Sequence, residues 1–144
     1  MAEKSSKSGF TADERAAMRE RAKELKANAT RAEADADVRA KFAEMTEPDR
    51  SIGEKLYEIV TSVAPHLDPK TYYGMPGWAR GGKVVVFFQG SAKFKTRYAT
   101  LGFSDSAPLD EGPMWPSSYA IVELTPAVEK TLGELIVKAA GPAQ

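Results

Sequence analysis

The densest chemical signal in the chain is a run of cations with no acid among them. Between Asp68 and Asp105 there is no Asp or Glu, while Lys70, Arg80, Lys83, Lys93, Lys95 and Arg97 all fall inside the interval. Side chains alternate faces along a strand, so an extended stretch from Phe94 to Phe103 puts Lys93, Lys95 and Arg97 on one face, opposite Phe94 and Tyr98. Like charges on one strand face repel one another unless an anion stands nearby. The candidates are an acidic ligand, the loop carrying Asp105, Asp110 and Glu111, or an acidic helix. Internal pairing with that loop, or plain solvation, is the alternative reading of such a face. Near the cations lie amphipathic aromatics suited to partly wet pockets, Tyr73, Trp78 and Trp115, together with Met75. Tyr73 and Met75 share one parity, and Trp78 the other unless Pro76 or Gly77 resets the register. Core and loop packing is the plain reading of these residues. The functional reading is a small pocket where the Trp115 loop folds over the strand carrying Trp78, with Lys93, Lys95 or Arg97 as polar anchors.

A second constellation is acidic. Glu33, Asp35, Asp37, Glu44, Glu47 and Asp49 crowd into 17 positions. At about 100° per residue, Glu33, Asp37 and Glu44 fall on one helical face, opposite Val38, Phe42 and Met45. Carboxylates of this kind suit a hard or borderline cation such as iron. The same pattern describes a solvated face, with Arg31, Arg39 and Lys41 close by. The one histidine, His66, sits in a helix-to-strand connection beside Asp68, without the Glu-x-x-His spacing of a carboxylate–histidine iron site.

Other chemistries lack their residues. There is no cysteine, which removes disulfides, thiolate nucleophiles and cysteine-ligated metals together. Gly74-Met75-Pro76-Gly77 and Gly81-Gly82 are not followed by the Lys-Ser/Thr of a phosphate loop, and no Gly-x-Ser-x-Gly elbow occurs. The chain reads more as a binding protein than as an enzyme. Twenty basic residues balance twenty acidic ones, which argues against a dedicated nucleic-acid binder. No apolar run approaches the roughly 20 residues of a membrane span. The opening MAEKSSKSGF has no apolar signal core, so the expected setting is cytoplasmic.

These residues must be carried by elements, and the pattern predicts them. Residues 1–10 read as a disordered tail. Residues 11–30 form a helical extension, opened by a Thr11/Glu14 capping box and bearing a thin apolar stripe of Met18, Ala22 and Leu25. Such a helix packs weakly on the domain, sits loosely in solution, or pairs with a protein partner or a second copy. Residues 31–144 form the main domain. A helix over about Glu33–Met45 is followed by one near Asp49 with the stripe Ile52, Leu56, Ile59, Val60 and Val63, ended by Pro65. Four strands then follow between residues 71 and 124: Thr71–Arg80, Lys83–Gln89, Phe94–Phe103 and Tyr119–Leu124. Gly81-Gly82 supplies the first hairpin turn. Thr125 caps a last helix with Pro126 at its first position, and Gly141-Pro142 stops it. Runs of helices and strands, rather than strict alternation, predict an α+β fold with an antiparallel sheet of about four or more strands, covered by N-terminal helices and a C-terminal helix.

Residues from about Phe42 to Ala140 resemble the YdhG-like family. The resemblance rests on Ala64-Pro65, Tyr73-Gly74-Met75-Pro76 and Trp78 ahead of the Val84–Phe88 strand. It continues through Lys93-Phe94-Lys95, Arg97-Tyr98, Leu101-Gly102-Phe103, Leu109-Asp110, Met114-Trp115-Pro116 and Tyr119-Ala120. It implies a small α+β domain resembling the frataxin-like arrangement, and for some relatives iron-chaperone activity. Two functional readings therefore stand. One is a non-enzymatic binding domain, without a cofactor, for a small anionic ligand or a protein partner, built on Tyr73, Met75, Trp78, Lys93, Lys95, Arg97 and Trp115. The other is an iron chaperone using Glu33, Asp37 and Glu44.

Overall fold

The computed structural model describes residues 11–26 and 30–143. The helices are α1 (Ala12–Lys26), α2 (Arg31–Ala43), α3 (Asp49–Val63), a single turn α4 (Ser91–Phe94) and α5 (Pro126–Ala140). The strands are β1 (Asp68–Pro69), β2 (Gly77–Arg80), β3 (Lys83–Gln89), β4 (Ala99–Phe103) and β5 (Ser118–Ile121). They form one antiparallel meander in the order β1-β2-β3-β4-β5, so the fold is α+β, as the run of elements predicted. The expected tail, residues 1–10, lies outside the described residues.

Local chemistry fixes the helix ends. The Thr11 and Glu14 side chains cap each other's backbone N–H groups at α1, at 3.0 and 2.8 Å. Thr30 and Glu33 do the same for α2. The Thr125 hydroxyl accepts from the Val128 N–H at the start of α5. At Gly81-Gly82 both φ angles are positive, 58° and 82°, which is the paired left-handed geometry of a two-residue hairpin turn.

One face of the sheet carries the core. Val38 and Phe42 of α2, Ile52, Leu56 and Val60 of α3, and Leu132 and Ile136 of α5 bury against Trp78, Val86, Phe88, Leu101 and Phe103. A register irregularity opposite Trp78 and Ala79 brings Val85 into the same core beside Val86. That is the two-against-one arrangement of a bulge. Gly53 lets α3 approach closely, since a Cβ there would stand 2.6 Å from the Phe42 ring. On the opposite face the Phe87 ring lies over Gly102, where a Cβ would meet it at 2.3 Å.

Three expectations change. The segment 71–75 is not strand. Tyr72 and Met75 exchange backbone hydrogen bonds of 2.7 and 2.9 Å across a tight reversal, with Tyr73 and Gly74 at φ 53° and 81°. The segment 94–98 is not strand either. Gly90 precedes the turn of α4, and Lys95 closes it in the left-handed region at φ 57°. The Asp49 carboxylate holds that turn by accepting from the Ala92 N–H and the Ser91 hydroxyl. Third, α1 does not dock through its predicted stripe: Met18 is 45% exposed and Ala22 faces solvent, while Leu25 lies outside the described side chains. Among the side chains described, the docked face is instead Asp13, Ala17, Glu20, Arg21 and Glu24, at helical spacing and held by ionic and hydrogen-bonded contacts with Ala17 buried beneath them.

Candidate functional site

The proposed cationic strand face does not exist, because its three residues leave a helical turn and a loop in different directions. Lys95 pairs with Asp13 of α1 at 3.1 Å. The Arg97 guanidinium stacks on its neighbour Tyr98, 5.2 Å from the ring centroid. Lys93 alone turns toward the Tyr73–Met75 reversal: its Nζ lies 3.4 Å from where a Cβ on Gly74 would stand. Among the described residues it pairs with no carboxylate.

The aromatic half of the expected site also divides. Trp78 is 2% exposed, packed 6.4 Å from both Phe42 and Tyr57 in the helix-facing core. Trp115, in the loop after β4, is 38% exposed, and no ring contact joins it to Trp78 among the described residues. Sheet parity is the reason. Trp78 sits opposite Val86, whose side chain belongs to the helix-facing layer, so a tryptophan there must be core.

The structure does bring Met75 and Lys93 together. They line a cleft of about 360 Å³ between the reversal, α4 and the end of α2. Its floor is apolar, with Met45, Met75 and Phe94, and its rim carries Lys41, Lys93 and Glu44. Lys41 is engaged by Glu20 of α1 at 3.2 Å. That ammonium holds the Glu20 carboxyl below its ordinary range. Asp49 closes the inner wall, buried and fully used by the α4 turn. Neither Met45 nor the Lys41–Glu20 pair belonged to the expected site. Glu20 and Lys41 come from α1 and α2 and Met45 from the segment between α2 and α3, all distant from the reversal along the chain, a separation at which periodicity says nothing about contact.

Tyr73 marks the outer edge of this region. The N–H groups of Tyr73 and Gly74 point the same way and donate to the two oxygens of the Glu24 carboxylate, at 2.9 and 3.0 Å. Arg21 lies over both Tyr72 and Tyr73, 5.0 and 5.2 Å from the ring centroids. Its Nη1 is buried, donates no hydrogen bond among the described residues, and stands 3.7 Å from Glu24.

Four of the six clustered acids, Glu33, Asp35, Glu47 and Asp49, have separate structural duties. Glu33 completes the α2 capping box. Asp35 accepts from the Tyr57 hydroxyl and from Arg39. Glu47 accepts from the Ser51 N–H at the start of α3. Glu33, Asp37 and Glu44 share a helix face, but Glu33 and Glu44 are 11 residues apart, about 16 Å along the axis, too far to ligate one ion. Among the described residues no three His, Asp or Glu side chains gather as a metal site. His66 instead lies 3.0 Å, through Nε2, from the Gly141 carbonyl at the end of α5, and pins that terminus to the connection before β1.

No described helix is long and apolar enough to cross a membrane. Set against protein-family models, curated proteins and solved structures, the chain matches none.

Proposed function

We propose that this protein is a non-enzymatic binding domain for a small amphipathic anion, seated in the cleft between Met45, Met75 and Phe94 with its charged head at Lys93. The observation that carries the reading is the Lys93 ammonium, paired with no carboxylate among the described residues, at the mouth of an apolar cleft. A cleft of about 360 Å³ falls within the range of small-molecule sites, which are mostly apolar with a few polar anchors. The anchor sits on α4, and the buried Asp49 carboxylate fixes that turn. We also assign the chain to the YdhG-like family, supported by Tyr73-Gly74-Met75-Pro76 and Lys93-Phe94, which contribute to the cleft and its edge, and place it in the cytoplasm on its cysteine-free composition. An iron-carrying role implied by that resemblance would need ligands other than Glu33, Asp37 and Glu44.

The methionines provide the test. In the full chain with labelled methyl groups, octanoate is titrated as a probe carrying an apolar body and a carboxylate. Saturable shifts are expected at Met45 and Met75, with the exposed Met18 and Met114 as internal controls. Lys93→Met should weaken the binding by about tenfold or more, the worth of one charge-assisted hydrogen bond. Unmoved Met45 and Met75 signals, or equal affinity in the variant, would refute the assignment.

A further inference from the structure

We infer that the Tyr73–Gly74 amide pair, at the outer edge of the cleft, is a carboxylate receptor in its own right, and that α1 carries its built-in occupant, Glu24. Two consecutive main-chain N–H groups donate to two different oxygens of one carboxylate, at 2.9 and 3.0 Å. That fork matches the spacing of a planar carboxylate, and backbone concavities of this type bind anions. The geometry depends on Tyr73 being held at φ 53°, a conformation that L side chains other than Asn and Asp rarely adopt. The Arg21 guanidinium, stacked on Tyr72 and Tyr73 with its Nη1 3.7 Å from the Glu24 carboxylate, adds positive charge beside the occupied position.

The occupant is held by exchangeable contacts. The docked face of α1 buries only Ala17 among the residues whose burial is described, and its remaining anchors are polar: Asp13 to Lys95, Glu20 to Lys41, Glu24 to the amide pair. The Asp13–Lys95 and Glu20–Lys41 contacts join partly exposed groups and are individually weak, which leaves the Glu24 carboxylate, 8% exposed, as the principal anchor. A carboxylate from outside competes with Glu24 for the same two N–H groups, and the affinity it shows is lowered by the fraction of molecules in which Glu24 is already seated. The source of that carboxylate is either a free small acid or a glutamate presented on a helix, as α1 itself presents one.

The test uses the full chain labelled at backbone amides, unaltered and as Glu24→Ala. Glutarate probes the free-acid source, and a synthetic peptide of residues 11–26 probes the helix-borne source. In Glu24→Ala, at least one of the two should move the Tyr73 and Gly74 amide signals saturably, with affinity about tenfold tighter than in the unaltered chain. Which of them does so identifies the source. If Glu24→Ala loses its dispersed spectrum, Glu24→Gln, which keeps the size and one acceptor oxygen, is read instead. The inference is overturned if neither probe moves these amides, if affinity is the same with and without Glu24, or if inorganic phosphate binds more tightly than both carboxylate probes. The two readings fail separately: the cleft reading on the octanoate response of the Met45 methyl group and its loss in Lys93→Met, this one on the glutarate and peptide response of the Tyr73 and Gly74 amides and its dependence on Glu24.

Discussion

Replacing Asp49 with alanine tests how the binding region is held together. Asp49 is 2% exposed at the first turn of α3, yet it works for another element: Ser91 Oγ donates to Oδ1 at 2.7 Å and the Ala92 N–H to Oδ2 at 2.9 Å. Gly90 leaves room for this contact, since a Cβ there would stand 3.2 Å from Oδ2. Truncation removes both bonds and leaves a hydroxyl and an amide without their acceptor. Hydrogen bonds to a charged group contribute about 1.5–3 kcal/mol each, and relief of the carboxylate's own desolvation offsets part of the sum. The net loss should be about 3 kcal/mol. For a domain of this size that lowers the thermal midpoint by about 9 °C. Urea denaturation should show the midpoint falling at unchanged slope, since the same surface is exposed on unfolding. Octanoate binding should weaken with it, because Lys93 and Phe94 ride on the turn that Asp49 holds. A loss under about 1 kcal/mol would mean that the α4 turn is stable without the carboxylate. The reasoning that links α3 to the cleft would then be wrong.

Other perturbations probe the rest of the frame. Gly53→Ala should destabilise by about 2 kcal/mol, because a Cβ placed 2.6 Å from the Phe42 ring and 3.0 Å from Phe88 overpacks the core by more than the helix gains in propensity; a stability equal to or above the unaltered chain in urea would contradict this. Gly102→Val should force Phe87 off the sheet, read as a rise in accessibility of that ring and a lower midpoint; an unmoved ring would show that β4 shifts instead. The Asp35 carboxyl is subject to burial, which alone would raise it, but the Tyr57 hydroxyl and Arg39 outweigh that and hold it below its ordinary value. A depressed folded value means that the stabilisation is complete above the ordinary carboxylate range near pH 4 and is lost as pH falls through the lower folded value. Stability measured from pH 5 down to pH 2 should therefore fall less steeply in Asp35→Asn, and parallel curves would rule the pair out as a contributor. Glu20, lowered chiefly by its bond to Lys41, carries the same sign, so acidification should also loosen α1, visible as altered signals at Tyr73 and Gly74.

What the sequence determined by itself is the part of the structure governed by short-range energetics. Capping side chains reach only three residues, paired left-handed glycines make a turn wherever they fall, and proline stops a helix regardless of what surrounds it. The ends of α3 and α5, the Gly81-Gly82 hairpin, strand β3 and the α+β class all follow from such rules. The stripe of α3 was legible because apolar burial leaves a periodic trace. Tertiary structure decided what leaves none. Among the side chains described, the docked face of α1 is mostly charged, so no apolar period announces it, and Met18 and Ala22 of the visible stripe point to solvent. Lys93, Lys95 and Arg97 looked like one surface only while the segment was taken as extended. Asp49, 42 residues away, holds Ser91 and Ala92 in a turn, and the left-handed Lys95 sends the three cations apart. Trp78 was removed from the candidate surface by a pairing with Val86 that sets its face, and the acidic cluster was dissolved by partners such as Thr30, Tyr57 and Ser91. A charged side chain finds its partner by position in space, and its spacing along the chain records only which neighbours it could reach without folding.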